Sequence, residues 1–312
     1  MNRNGNIVMF LSGIITLWLC GYLNSYAGDD KVKFTMGYSI FSFQEVSPID
    51  ASAAISVYAK LSKEKIEKRL NKKIDFHYFV YNSLNDIKEA LDKNEVDLLS
   101  ISFTEYRELK KQYRITPCIA PSASDNAYEQ YYFLKRNDSN LTKTEDLIGK
   151  NLSVPNFKNH PMLEEWLFNL LAKAGHRSIN SAFRQVKVTE NESSAIYNVF
   201  FGNSDCAVVR KSVYQAVCEL NPQIKKTLSV FISSPSFIPI FSVVNENTNK
   251  VLIKAILDET KALQLTSQGK NILSIFKSES MIRINDDDLK AGLNILDEND
   301  YFKKQLTIKK RR

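Results

Sequence analysis

Between Val32 and Tyr106 the hydrophobic pattern changes period repeatedly, from the alternation of a strand to the three-to-four spacing of a helix and back. Val32 to Tyr38 is a β-type run, and Ile55, Ala59, Ile66 and Leu70 then place an apolar stripe on a helix whose other face is rich in Lys and Glu. Ile74 to Tyr81 is a second strand, and Leu84, Ile87 and Leu91 mark a second helix. Val96-Asp97-Leu98-Leu99 is a short buried strand, after which Ser100-Ile101-Ser102 opens a helix carrying Tyr106 and Leu109. Units this short bury their apolar faces when the strands lie side by side in a mostly parallel sheet with helices on both faces, so the pattern predicts an α/β fold.

The alternation continues through the rest of the chain. Arg114 to Ala120 and Tyr128 to Arg136 are extended runs separated by the loop Pro121 to Asn126. Leu147-Ile148-Gly149-Lys150 is a turn, Asn151-Leu152-Ser153-Val154 a short strand, Pro155 to His160 a polar break, and Pro161 to Ala174 an apolar-periodic helix closed by Gly175. Strands follow at Phe183 to Val188, Asp205 to Val209, Thr227 to Ile232 and Phe237 to Val244, with helices at Ser193 to Phe201 and Lys211 to Leu220. The end is mainly helical, over Val251 to Leu265, Gly269 to Phe276 and Asp288 to Leu296. There is no internal repeat, low-complexity segment or Gly/Ser linker. Two lobes in such a chain would be joined by strands that cross between them.

The N-terminus points to export. Arg3 precedes an apolar run from Ile7 to Cys20 of about 14 residues, short of the roughly 20 a bilayer requires. Ser25-Tyr26-Ala27 places small residues where a signal peptidase reads, so residues 1–27 are expected to be a cleaved signal peptide and Gly28 the mature N-terminus. The rival reading is a lipoprotein signal at Leu17-Trp18-Leu19-Cys20-Gly21, which bulky Leu19 fits poorly. Removing 27 residues from 312 leaves 285, enough for two compact lobes. The formal charge falls from +7 to about +6 with the loss of Arg3. The charge is interspersed, as in Ser62 to Lys73, and the one basic run is the tail Lys309-Lys310-Arg311-Arg312, a solubilising end. No nucleic-acid partner is expected.

Three cysteines remain in the mature chain: Cys118, Cys206 and Cys218. An oxidising compartment permits a disulfide, for which Cys206 with Cys218 is the best pair, and the alternative is three small buried hydrophobes. The three histidines, His77, His160 and His176, and the absence of a Cys-x-x-Cys pair argue against a zinc site. Ser62-Lys63-Glu64-Lys65 and Ser274-Ile275-Phe276-Lys277 match Ser-x-x-Lys, which recurs by chance, and no Lys-Thr-Gly companion, Gly-x-Ser-x-Gly, His-Glu-x-x-His or phosphate-loop signature occurs. Neither an enzyme nor a cofactor is expected.

The order of elements resembles the extracytoplasmic substrate-binding proteins of ABC importers, within them the phosphate/phosphonate-type family with the type 2 periplasmic binding fold. The residues that carry the resemblance are Val96-Asp97-Leu98-Leu99-Ser100-Ile101-Ser102 with Tyr106, Tyr131 to Asp138 followed by Asp146 to Val154, Gly202 with Asp205-Cys206-Ala207-Val208-Val209, Phe237-Ile238-Pro239, and Gly269-Lys270 before Asp286-Asp287-Asp288. The resemblance implies two lobes, residues 28–132 plus 237–312 and residues 133–236, each a mostly parallel sheet flanked by helices, with Tyr128 to Arg136 and Phe237 to Val244 crossing as hinge strands. It also implies a periplasmic, monomeric protein that captures a small anionic, phosphate- or phosphonate-like solute in the interlobe cleft and presents it to an inner-membrane ABC permease. The alternative partner is a separate membrane sensor that reads the same closure.

Ligand residues are expected at the carboxyl ends of strands that lead into helix N-termini. In the second lobe these are Asn156, Lys158, Asn159 and His160 before the helix at Pro161, together with Asn191, Ser193 and Ser194 before the next helix. In the first lobe they are Tyr38 and Phe41, with Phe43 beside them on the first loop, and Ser100, Ser102 and Tyr106 around the third strand's end. Phosphonate-binding members of the family carry a Ser/Thr-rich turn and a Gly-Ser-His-Asp-like turn where this chain has Pro155 to Pro161 and Glu190-Asn191-Glu192-Ser193-Ser194. Lys158 and the first-turn amides behind Pro161 would favour a carboxylate, phosphate or other small anion. Asp205 and Arg210 flank a strand near the hinge, where they serve either the cleft or a structural ion pair.

Overall fold

The computed structural model describes residues 31–43, 46–123 and 126–310. The signal-peptide region 1–27 and the last two residues of the basic tail lie outside the described residues. The chain opens with strand β1 (Val32–Ser39), a 3-10 turn over Ile40–Phe43, helix α1 (Pro48–Leu70), β2 (Ile74–Tyr81), α2 (Leu84–Asp92), β3 (Leu98–Ser102), α3 (Phe103–Lys110) and β4 (Ile115–Ser122). It continues through β5 (Tyr131–Arg136), β6 (Asn151–Pro155), α4 (Pro161–Lys173), α5 (Ile179–Ala182), β7 (Gln185–Thr189), α6 (Glu192–Phe200), β8 (Cys206–Arg210), α7 (Lys211–Leu220), α8 (Pro222–Thr227) and β9 (Leu228–Ser233). The return is β10 (Ile240–Asn245), α9 (Lys250–Lys261), α10 (Ser267–Ile275), β11 (Ser280–Arg283) and α11 (Lys290–Lys310).

Local chemistry sets the helix starts. Ser47 accepts from the Asp50 amide and Pro48 occupies the first turn of α1, while Ser83 with Asp86 and Ser102 with Glu105 form capping boxes on α2 and α3. At the other end of α1, Asn71 takes a left-handed conformation with φ of 49° and donates its N–H back to Glu67.

Two sheets result. The first has the order β11-β4-β10-β3-β1-β2 and the second β7-β6-β8-β5-β9. Both are mixed rather than mostly parallel. The expected parallel pairs are β1 with β2 and β3, and β6 with β7 and β8. The strands that return from the other lobe enter in the opposite sense: β10 inserts antiparallel between β3 and β4, and β5 inserts antiparallel between β8 and β9. Hydrophobic periodicity cannot report strand direction, because an inserted hinge strand is buried on both faces like its parallel neighbours.

The chain passes between the sheets over residues 126–130 and 234–239. There Glu129 and Phe237 exchange two backbone hydrogen bonds of 2.8 and 3.0 Å. One hydrophobic cluster packs α1, α9 and α10 against one face of the first sheet through Phe34, Tyr58, Ile66, Ile256 and Ile272. A larger cluster runs from Leu99, Phe103 and Phe241 on the other face through Tyr131 and Phe133 to Trp166 on α4 and Ile295 on α11. The two sheets therefore share a core.

Helix α11 is longer than the predicted Asp288 to Leu296, and it is fastened to α4. Asn169 Nδ2 donates to Ile295 O at 2.7 Å, and Asn299 Nδ2 donates to Glu165 O at 3.2 Å. Elements of four to six residues, β11, α5 and α8, are too short for periodicity to mark. All three described cysteines are free, so the Cys206–Cys218 pair does not form. Cys206 is buried on β8 with its thiol 3.6 Å from Asn151 O, whereas Cys218 on α7 lies against the Tyr214 hydroxyl.

Candidate ligand cavity

Because β10 runs antiparallel to both β3 and β4, the ends of β1, β3 and β4 come to one edge of the first sheet, at Ser39, Ser102 and Ser122. That edge faces the crossing segments. Beneath it a cavity of about 300 Å3 enters the first lobe. One wall is a face of the sheet, where the two-residue period brings Met36 and Tyr38, Leu98 and Ser100, and Ile240 and Ser242 to the same side. The opposite wall is helical: Ile55 and Tyr58 from α1, Thr260 from α9, Leu263 from the turn after it, Ile272 and Leu273 from α10, and Phe276 at its C-cap. The rim carries Ser42, Ser122, Asn126, Tyr128, Glu129 and Lys277, and Arg210 reaches it from the end of β8. The cavity thus opens where the two lobes meet.

Its polar groups are held in a defined state. Ser42 Oγ donates to Ser100 O at 2.9 Å, the Ser100 and Ser242 hydroxyls are 2.6 Å apart, and Tyr58 OH lies 2.6 Å from Thr260 Oγ1. Burial, with Tyr58 adding to it, pushes the Tyr38 phenol well above its ordinary range, so it stays a neutral hydroxyl. Glu192 holds Arg210 at three points: Arg210 N, Nε and the guanidinium Nη2 approach its carboxylate at 2.6, 2.7 and 2.6 Å. Glu129 accepts from the Gln130 amide at 2.9 Å and from the Ser212 hydroxyl.

Of the residues singled out in the sequence, Tyr38, Phe43 and Ser100 line this cavity. Phe41 sits on the adjoining 3-10 turn and is 41% exposed. Ser102 gives both its hydroxyl and its backbone N–H to Glu105, at 2.7 and 2.9 Å. Glu105 also accepts from Ser39 Oγ at 2.6 Å, so this carboxylate ties two strand ends together. Tyr106 is fully buried against Phe103 and Phe241, and its hydroxyl donates to Asp286 at 2.8 Å.

The second-lobe candidates gather elsewhere. Strands β6, β7 and β8 are parallel, so Asn156, Asn191 and Arg210 follow or end them at one sheet edge. Asn156 accepts from the Lys158 amide, and Asn191 accepts from the Ser194 amide and hydroxyl at 2.8 and 2.9 Å. Lys158 and Asn159 are exposed, Ser193 and Ser194 are half-buried, and half-buried His160 occupies the N-cap of α4 without capping its first turn. Of this edge only Arg210 reaches the cavity. Asp205 instead fixes the Asn151 amide at 2.7 Å.

Sequence reasoning missed Met36, Ser242 and Ser122. The first shares a strand face with Tyr38, a signal that was present. The other two depend on which strands are neighbours. Among the described residues no group of three or more His, Cys, Asp and Glu side chains is placed to hold a metal ion. Burial pushes the Cys118 thiol up to about 12 and raises that of Cys206 as well, which leaves both as inert thiols.

Residues 49–289 match the family model described as ABC transporter, phosphonate, periplasmic substrate-binding protein. The chain belongs to that family. Its members are non-enzymatic proteins that bind small solutes and deliver them to membrane permeases, and among the described residues no helix is long and apolar enough to cross a membrane. No curated protein matches. Among solved structures, a Xanthomonas citri protein bound to chloride ion superposes with a TM-score of 0.60 at 11% identity, covering 88% of this chain and 99% of that one. A binding protein component of the ABC phosphonate transporter of Pseudomonas aeruginosa gives 0.52 at 12% identity, covering 90% and 96%. PhnD1 of Prochlorococcus marinus, in complex with methylphosphonate, gives 0.53 at 14% identity, covering 84% and 96%. The likeness is one of fold, that of the type 2 periplasmic binding proteins.

Proposed function

We propose that this family member is exported to the periplasm and captures an anionic organic solute at the mouth of the first-lobe cavity for delivery to an ABC permease. The lobes in this reading are residues 28–132 plus 237–312 and residues 133–236, moving about the Glu129/Phe237 bridge. The observation that carries the reading is that Arg210, from the second lobe, lines a cavity otherwise built by the first lobe and the crossing segments. A ligand there would touch both lobes, which is what couples binding to closure. Asn156, Lys158, Asn159, His160, Asn191, Ser193 and Ser194 share the sheet edge that ends in Arg210, and they form the opposing jaw in this proposal.

A thermal-shift screen with phosphate, methylphosphonate, sulfate and short carboxylates tests it. A bound solute at about 100 times its dissociation constant stabilises the native protein by about 2.7 kcal/mol. A shift produced by an anion and diminished in Arg210→Ala supports the site. An anion whose affinity is indifferent to Arg210→Ala moves the site elsewhere.

A further inference from the structure

We infer that the solute is amphipathic: one anionic head at the rim and an alkyl or aryl body inserted into the first lobe. The inference rests on the reading that this cavity is the solute site. A bare inorganic anion would fill little of it. The volume, about 300 Å3, is roughly twice that of an engineered apolar cavity that accepts benzene, so it holds on the order of ten carbons. The depth is apolar, with Met36, Leu98, Ile119, Leu263, Ile272 and Met281 among its lining side chains. An anion pushed down to them would lose hydration with nothing to replace it, whereas an apolar body gains from leaving water.

The rim supplies the complement. Asn126, Tyr128 and Lys277 line the same cavity and are exposed, whereas Met36, Leu98, Ile119 and Ile272 are buried. Deeper in, the Tyr38 hydroxyl has the Met36 thioether at 3.8 Å as its hydrogen-bond partner, a weak acceptor. Exposed Lys277, with a left-handed backbone of φ 52°, brings positive charge to the opening, which Arg210, paired with Glu192, and Glu129 also line. Exposed polar groups and a lysine at the opening, with apolar side chains buried behind them, suit a molecule polar at one end only.

The test is calorimetric titration of the purified protein with n-alkylphosphonates and n-alkanoates of increasing length, kept below micellar concentrations. The dissociation constant is expected to fall about fourfold with each added methylene, the fold-change for burying one such group, and then to level off once the cavity is full. Ile272→Trp and, independently, Ile119→Phe fill the depth and should bring the levelling to shorter chains. Lys277→Gln should weaken every member of a series by a similar factor. Equal affinity for methyl- and octylphosphonate would overturn the inference while leaving solute capture at this site intact. Failure of both series, with another anion bound in an Arg210-dependent way, would likewise sink the amphipathic ligand alone. Failure of both series with no Arg210-dependent solute would overturn this inference and the site reading together.

Discussion

Glu192 is a carboxylate almost wholly withdrawn from water, its side chain 4% exposed, and Arg210 makes three close contacts with it. Geometry of this kind offsets desolvation, and deleting one partner strands the other. Arg210→Ala is therefore expected to cost about 3 kcal/mol, the low end of the range for a broken buried pair, because it leaves the Glu192 carboxylate, 4% exposed, without this partner while the arginine it removes was 24% exposed. Urea denaturation of the variant measures this. A loss below about 1 kcal/mol would mean that the pair is held no more tightly than a surface one. The same residue illustrates how far single positions could be read. Arg210 was visible as a charge flanking a strand, but its partner lies 18 positions earlier, at the start of α6. No helical or strand period links the two.

At the scale of elements, the turn before β6 hangs on one carboxylate. Asp146 Oδ2 accepts from the Thr142 amide, the Thr142 hydroxyl and the Lys143 amide at 2.8, 2.8 and 2.9 Å. The Thr142 amide bond first, then those of the Lys143 amide and Thr142 hydroxyl, push its pKa down to about 2. An unfolded aspartate titrates near 3.9, so the folded state binds this proton less tightly. The contribution is fully present above about pH 4 and is lost as pH falls through about 2. In Asp146→Asn, the part of the acid-induced loss of stability between about pH 4 and pH 2 that this group supplies should vanish. An unchanged slope in pH-dependent urea melts would refute the assignment.

Long periodic elements such as α1, α2 and α4 were legible in the sequence, because capping residues bracket an apolar stripe that must face a sheet. Strand β11 was not. Its four residues pair with β4 alone, at the edge of the first sheet, and four residues cannot establish a period.

Across the whole molecule, the lobes are coupled by more than their crossing strands. Helix α11, the last element of the first lobe, covers α4 of the second, with Ile295 and Leu296 buried at 3% exposure each. The ion pairs at this contact, Lys303–Glu165 and Lys173–Glu298, are exposed on their lysine sides and stabilise little. The apolar contact and the buried Asn169–Ile295 bond matter more. Leu296→Ala is expected to cost about 2–5 kcal/mol. With one core cluster spanning both sheets, unfolding should be a single transition. Fluorescence of Trp166, stacked on Tyr131 at 6.3 Å beside the crossing, should then coincide with far-UV circular dichroism during urea denaturation. Separate midpoints would show that the lobes melt independently.

The sequence alone determined the α/β class, the strand-to-helix junctions and the family, because these depend on periodicity, capping and the order of elements along the chain. It also brought Tyr38 and Ser100 into view, since each sits at or near a strand end. Tertiary structure decided everything that depends on which strands are neighbours. The antiparallel insertion of β10 placed Ser242 beside Ser100 and brought the end of β4 to the edge of the sheet above the cavity. The packing of α1 and α10 left an apolar cavity behind Tyr38. Such features arise from contacts between residues more than a hundred positions apart, as Ser100 and Ser242 are, and local pattern carries no term for them.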